Sequence, residues 1–260
     1  MIDRGTGTPI VLIPGLHGRW EWMRAAVDAL SKHHRVISFS LCDERSSKFP
    51  CDPSKGFENY VEQVSLAMDR AKIDRAVIAG VSYAGLIATE FAARNPDRVS
   101  GIVLTSALHA SWQPDQRQRR YLSSPTLLSP LFVATSPGRM RPEIVAALPT
   151  LGSRMRFGLT YGLRVVTAPT TPSRMARRIT WARAHQFADV HQVKAPALLI
   201  TGEPGLDRVV PVEVTRRYLD EFDTAEHVVL QRTGHIGLIT KPEAWAEVLE
   251  RFVDGVRIPA

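Results

Sequence analysis

The stretch that constrains this chain most is short. An apolar run, Ala76-Val77-Ile78-Ala79, ends in Gly80-Val81-Ser82-Tyr83-Ala84-Gly85, and Leu86 to Arg94 continue as a helical pattern. A serine framed by residues with almost no side chain, on a corner between strand and helix, sits in a strained backbone conformation that pushes its hydroxyl outward. The helix that starts there aims unpaired N–H groups at any oxyanion forming beside the serine. A Gly-x-Ser-x-small match arises by chance in roughly one chain of this length in five at average composition. The flanks and the partners downstream therefore decide whether it carries chemistry.

Those partners come late. Pro196-Ala197-Leu198-Leu199-Ile200-Thr201 reads as a buried strand, and Glu203-Pro204-Gly205-Leu206-Asp207 follow it after Gly202. His227-Val228-Val229-Leu230-Gln231 reads as another strand and leads into Thr233-Gly234-His235-Ile236-Gly237. Six strands are expected, at 9–13, 35–40, 76–80, 99–105, 196–201 and 226–231, each rich in Val, Ile or Leu as strands covered on both faces should be. Helical stripes alternate with them: Phe57, Tyr60, Val61, Val64, Met68 and Ala71 on one, Trp245, Val248, Leu249 and Phe252 on another opened by Pro242. Alternation of this kind predicts an α/β fold with a doubly wound, mostly parallel sheet and a ligand site at its carboxyl edge.

In the order Ser82, Asp207, His235 the chain resembles the α/β-hydrolases, whose triad runs nucleophile, acid, histidine. The likeness spans nearly everything outside 112–190 and includes Ile13-Pro14-Gly15-Leu16-His17-Gly18 after the first strand. The resemblance implies that His235 takes the Ser82 proton, that Asp207 orients the imidazole, and that the backbone N–H groups of Leu16 and Tyr83 hold the oxyanion. It also implies a core at 1–111 and 190–260 with a helical cap inserted at 112–189. Three positions depart from the usual pattern. Ala84 replaces the second glycine, Pro14 stands where many relatives have histidine, and Asp207 lies five residues past Gly202 rather than about three. The last departure keeps Glu203 open as an alternative acid. Many relatives begin with two extra antiparallel strands, for which no residues are expected here.

The middle of the chain breaks the alternation. It is rich in proline, and across 108–190 it carries 12 arginines and no lysine against Asp115, Glu143 and Asp189, whereas the rest of the chain holds 21 basic and 23 acidic residues. Clustered charge of this kind is either a solvated surface or a landing site for an acidic partner. Some α/β-hydrolases of similar size use cap arginines to dock an acyl carrier protein, which makes an acidic acyl carrier a candidate partner. No nucleic-acid-binding module, metal-ligand spacing or phosphate loop is visible, and no run approaches the ~18 apolar residues of a membrane span. No cofactor is expected. The first residues lack a secretory leader pattern, and the two cysteines, Cys42 and Cys51, allow at most one bridge, so a cytoplasmic enzyme with reduced thiols is expected.

The resemblance leads to a serine hydrolase that cleaves a carboxylic ester through an acyl-enzyme. Thioesters of an acyl carrier or CoA, cleavage of C–C bonds, and a non-catalytic small-molecule receptor are the alternatives. Ile236-Gly237 after the histidine lack the aromatic that C–C hydrolases often place there. His17, His109 and Trp20 are candidates for lining the site; Trp20 and Trp22 are both expected to pack on the following helix, with one of them able to reach the acyl pocket.

Overall fold

The computed structural model describes residues 1–256, with side chains throughout except at 129, 130, 132–134 and 137. Seven strands form one sheet: β1 (Ile2–Arg4), β2 (Pro9–Ile13), β3 (Arg35–Ser38), β4 (Ala76–Val81), β5 (Val99–Thr105), β6 (Ala197–Thr201) and β7 (Ala225–Val229). Their order is β1-β3-β2-β4-β5-β6-β7, parallel except for β1, which pairs antiparallel with β3. The six strands read from hydrophobic runs are all present. The seventh, β1, corrects the expectation that no residues remain for an antiparallel strand. An edge strand of three residues needs no apolar run: Asp3 and Arg4 are exposed, and Asp3 pairs with Arg35 of β3 at 2.7 Å. At the other edge β7 is only partly buried, unlike β4 and β5, whose residues are buried throughout.

Helices cover both faces. α1 (Arg24–Leu30) and α10 (Pro242–Gly255) pack on one face, where Trp245 is fully buried and its Nε1 donates to Thr105 Oγ1 at 3.0 Å. α2 (Glu58–Arg70) and α3 (Ala84–Arg94) fill the other, and the stripe from Phe57 to Ala71 is buried at every position named. Each large apolar side chain so buried contributes ~1.5–3 kcal/mol.

Between β5 and β6 lie four helices: α4 (Gln116–Ser123), α5 (Ser129–Ala147), α6 (Leu151–Thr167) and α7 (Pro172–Ala184). Their local signals explain the proline richness. Asp115 and Gln118 form a capping box at α4, Thr150 caps α6 through the Ser153 amide, and prolines occupy the first turns of α5 and α7. Two short helices, α8 (Val212–Arg216) and α9 (Gly237–Thr240), follow β6 and β7.

Strand order fixes the location of the site. The chain moves outward from β2 to β3, then returns to place β4 on the other side of β2. The loops after β2 and β4 thus leave the sheet side by side at its carboxyl edge, the crevice where such sheets bind ligands.

Candidate active site

Ser82 follows β4 directly, at φ 55°, a left-handed conformation that a side chain adopts only under constraint. The constraint is visible at Gly80, where a Cβ would stand 2.4 Å from the Ala84 carbonyl oxygen. The β2 loop lies equally close, since a Cβ on Gly15 would stand 2.9 Å from the Val81 carbonyl and 3.2 Å from Ser82 Cβ. Leu16 is thereby brought beside the serine, and Tyr83 opens α3. Among the described residues the amides of Leu16 and Tyr83 donate to no protein acceptor, whereas those of Ser82 and Gly85 are bonded to Thr105 and Ser82 carbonyls.

His235 lies in the loop after β7, with Nε2 3.1 Å from Ser82 Oγ and Nδ1 3.3 Å from Asp207 Oδ2. Asp207 Oδ1 accepts the amides of Val209 and Val210 at 3.0 and 2.9 Å. The extra residues before Asp207 are absorbed by a turn in which the Leu206 and Asp207 amides bond to the Glu203 carbonyl. Burial acts to raise the Asp207 carboxyl, but the His235 charge and the hydrogen bonds outweigh it and hold it below its ordinary value. Burial likewise disfavours the charged imidazole, and Asp207, then Glu143, more than compensate, so His235 is a stronger base than free histidine. Glu203 stands apart from this line: its Oε1 accepts the Arg232 amide at 2.7 Å and braces the histidine loop.

The lining candidates divide. His17 remains solvent-reachable and stacks on Trp22 with ring centroids 5.2 Å apart. Desolvation, then the positive charges of His235 and Arg178, act to lower its pKa. Trp22 continues to Tyr161 of α6 at 6.2 Å, and its Nε1 donates to the Ala168 carbonyl. Trp20 points elsewhere, with the Arg4 and Arg24 guanidinium groups 5.9 and 5.4 Å from its ring. The two tryptophans lie on one 3-10 turn, where residues two apart face different directions. His109 is likewise turned away: its Nε2 meets the Glu221 carboxylate at 2.9 Å and its Nδ1 meets Ser111 Oγ at 2.7 Å.

Two residues of the insertion reach the site without having been singled out in the sequence. Arg178 of α7 is fully buried, pairs with Asp43 at 2.7 Å and with Glu44, and donates to the Leu16 carbonyl at 2.6 Å. The Tyr83 hydroxyl donates to the Arg178 carbonyl at 3.0 Å, so one residue is tied to both loops that flank the serine. Without the guanidinium, Asp43 and Glu44 would keep only the more exposed Arg177 and Arg174 as partners, and the buried charge would be less well compensated. Glu143 of α5, 1% exposed, accepts the Ile236 amide at 2.7 Å. Its one sequence signal is being the lone acid between Asp115 and Asp189.

Among the described residues no group of three His, Cys, Asp or Glu is placed to hold a metal ion, and no helix is long and apolar enough to cross a membrane. Cys42 and Cys51 are both free thiols, and burial pushes that of Cys42 well up.

Known proteins resemble this chain. The chain is 25% identical over 256 residues to a 2-hydroxy-6-oxo-2,4-heptadienoate hydrolase of Pseudomonas putida, covering 96% of this chain and 91% of that one. An enol-lactonase from Burkholderia xenovorans superposes with a TM-score of 0.69 at 25% identity, over 97% of this chain and 95% of the other. A bromoperoxidase from Bacillus anthracis superposes with a TM-score of 0.75 over 97% and 94% of the two chains, and at 17% identity it speaks to the fold alone. The family model described as the alpha/beta hydrolase fold matches residues 8–242. With a sheet of this order and a match of that length, the chain belongs to the α/β-hydrolase fold family.

Proposed function

We propose that the protein is a serine hydrolase that cleaves a carboxylic ester through an acyl-enzyme. The observation that carries this reading is the continuous line from Asp207 through His235 to Ser82, at 3.3 and 3.1 Å, on a corner flanked by two undonated amides. His235 Nε2 takes the hydroxyl proton as Ser82 Oγ bonds to the acyl carbon, and the Leu16 and Tyr83 amides receive the developing oxyanion. The imidazolium returns the proton to the departing alkoxide. Water, deprotonated by the same histidine, then releases the acid and restores the serine. In this scheme the insertion acts as a cap, and the row of His17, Trp22 and Tyr161 forms a wall for the acyl or alcohol group.

C–C bond hydrolysis is the second reading, favoured by the likeness to the heptadienoate hydrolase. Against it stands Ile236, which places an aliphatic side chain directly after the histidine. A fluorophosphonate should add once, at Ser82, and aryl acetate hydrolysis should show an initial burst of phenol equal to the enzyme present. An absent adduct would defeat the nucleophile assignment. Turnover of a 2-hydroxy-6-oxo-dienoate without ester turnover would select the second reading.

An acidic acyl carrier remains the proposed macromolecular partner. Arg174, Arg177 and Arg178 are engaged by Asp43 and Glu44, but Arg117, Arg120 and Arg156 stay exposed on the insertion. Hydrolysis of a carrier-bound ester should fall with added salt while that of a neutral aryl ester does not. Equal salt response would remove the partner.

A further inference from the structure

The loop that carries His235 is held from the insertion at two points. Ile236, directly after the histidine, donates its amide to Glu143 Oε1 at 2.7 Å, and Arg232 Nε donates to the Ala146 carbonyl at 2.8 Å. Both acceptors belong to the last two turns of α5. Glu143 is 1% exposed, and among the described residues it forms no ion pair. A buried carboxylate without a paired cation is uncommon, because desolvation penalises its charge. The charged groups around it are few. From the core side it faces His235 and Asp207. Arg232, on the loop beneath, is committed to the Ala146 carbonyl, and Arg139, one turn earlier on α5, donates to Ser136 Oγ.

We propose that Glu143 is a positioning residue through which the insertion governs the histidine: it fixes the His235 loop and, when ionised, favours the imidazolium formed as Ser82 gives up its proton. The inference rests on the serine hydrolase reading. Its charge state is poised to change near neutrality. Burial raises the carboxyl to about 7, against the pull of the Gly234 amide, the His235 charge and the Ile236 amide. Glu143 and His235 therefore titrate as an interacting pair, and the acid side of the activity profile belongs to both. As pH falls, protonation of His235 removes the base, and protonation of Glu143 removes the charge that strengthened it.

Glu143→Gln separates charge from contact, since its amide oxygen still accepts the Ile236 N–H while the side chain never ionises. On an uncharged aryl ester, the acid limb of its kcat/KM profile should move down by about half a pH unit, about a threefold relative gain at the acid end. The limb should also simplify to a single proton. Glu143→Leu, which removes the contact, should lower kcat about tenfold, the scale of one hydrogen bond to a charged group, with KM changed less than about twofold. A Glu143→Gln profile that superimposes on that of the wild type overturns the proposal, whether or not the leucine variant folds. The rate of fluorophosphonate labelling across the same pH range keeps the two claims apart. An unlabelled wild type removes the nucleophile itself, whereas a labelled wild type with an unshifted Glu143→Gln profile refutes only the role of Glu143.

Discussion

Ser82→Ala should fold as the wild type does and lose kcat for an aryl acetate by on the order of 10⁶-fold, with no fluorophosphonate adduct. The size follows from what is deleted. The oxygen that would form the acyl bond disappears, and His235 Nε2 is left 3.1 Å from nothing it can deprotonate. The Leu16 and Tyr83 amides remain, so any residual rate reports oxyanion stabilisation of direct attack by water. Stability should change little, because alanine pays about the same penalty as serine at φ 55° and the packing at Gly80 is untouched. Thermal unfolding should therefore overlay that of the wild type. Hydrolysis persisting at a tenth of the original rate would place the nucleophile on another residue.

The parts of this molecule that were legible in the sequence are those in which local chemistry and tertiary environment agree. β4 reads as a strand from Ala76-Val77-Ile78-Ala79 because a strand covered on both faces must be apolar at each position, and all six of its residues are buried. Ser82 is legible for a similar reason: the corner tolerates only small neighbours, and that requirement is written into the residues themselves. β1 was not legible, because Ile2-Asp3-Arg4 earns its place by edge pairing with β3 rather than by burial. Trp20 and Trp22 could not be told apart without knowing that they share a 3-10 turn. Arg178 was hidden among 12 arginines of one segment, since a charge count does not distinguish a solvated guanidinium from one sealed against Asp43 and Glu44.

Arg178 and Glu143 also change what the insertion means for the site. α7 reaches the loop after β2 through the Leu16 carbonyl, and α5 reaches the His235 loop through the Ile236 amide. Both side chains are buried and ionisable, and in their charged forms such hydrogen bonds are stronger than ordinary ones. Helices attached in this way are tied to the loops on both flanks of Ser82. Substitutions within α5 or α7 should accordingly alter turnover as well as substrate choice.

Asp207→Asn should lower kcat about 10⁴-fold while the fold persists. The direction of the loss can be derived atom by atom. Asp207 Oδ1 is occupied by the amides of Val209 and Val210, which only an oxygen can accept, so the new side chain keeps its oxygen there and presents its NH₂ to His235. That NH₂ must meet a lone pair, which forces the imidazole proton from Nδ1 onto Nε2, the nitrogen facing Ser82. The histidine then offers the serine a hydrogen where a base is required, and the imidazolium loses its counter-charge as well. Glu203→Gln tests the alternative acid under the same assay. Its oxygen would still accept the Arg232 amide, so the histidine loop stays braced and turnover should remain within about threefold, as befits one neutral hydrogen bond retained. Were the two variants to exchange phenotypes, His235 would have to turn its Nδ1 toward residue 203.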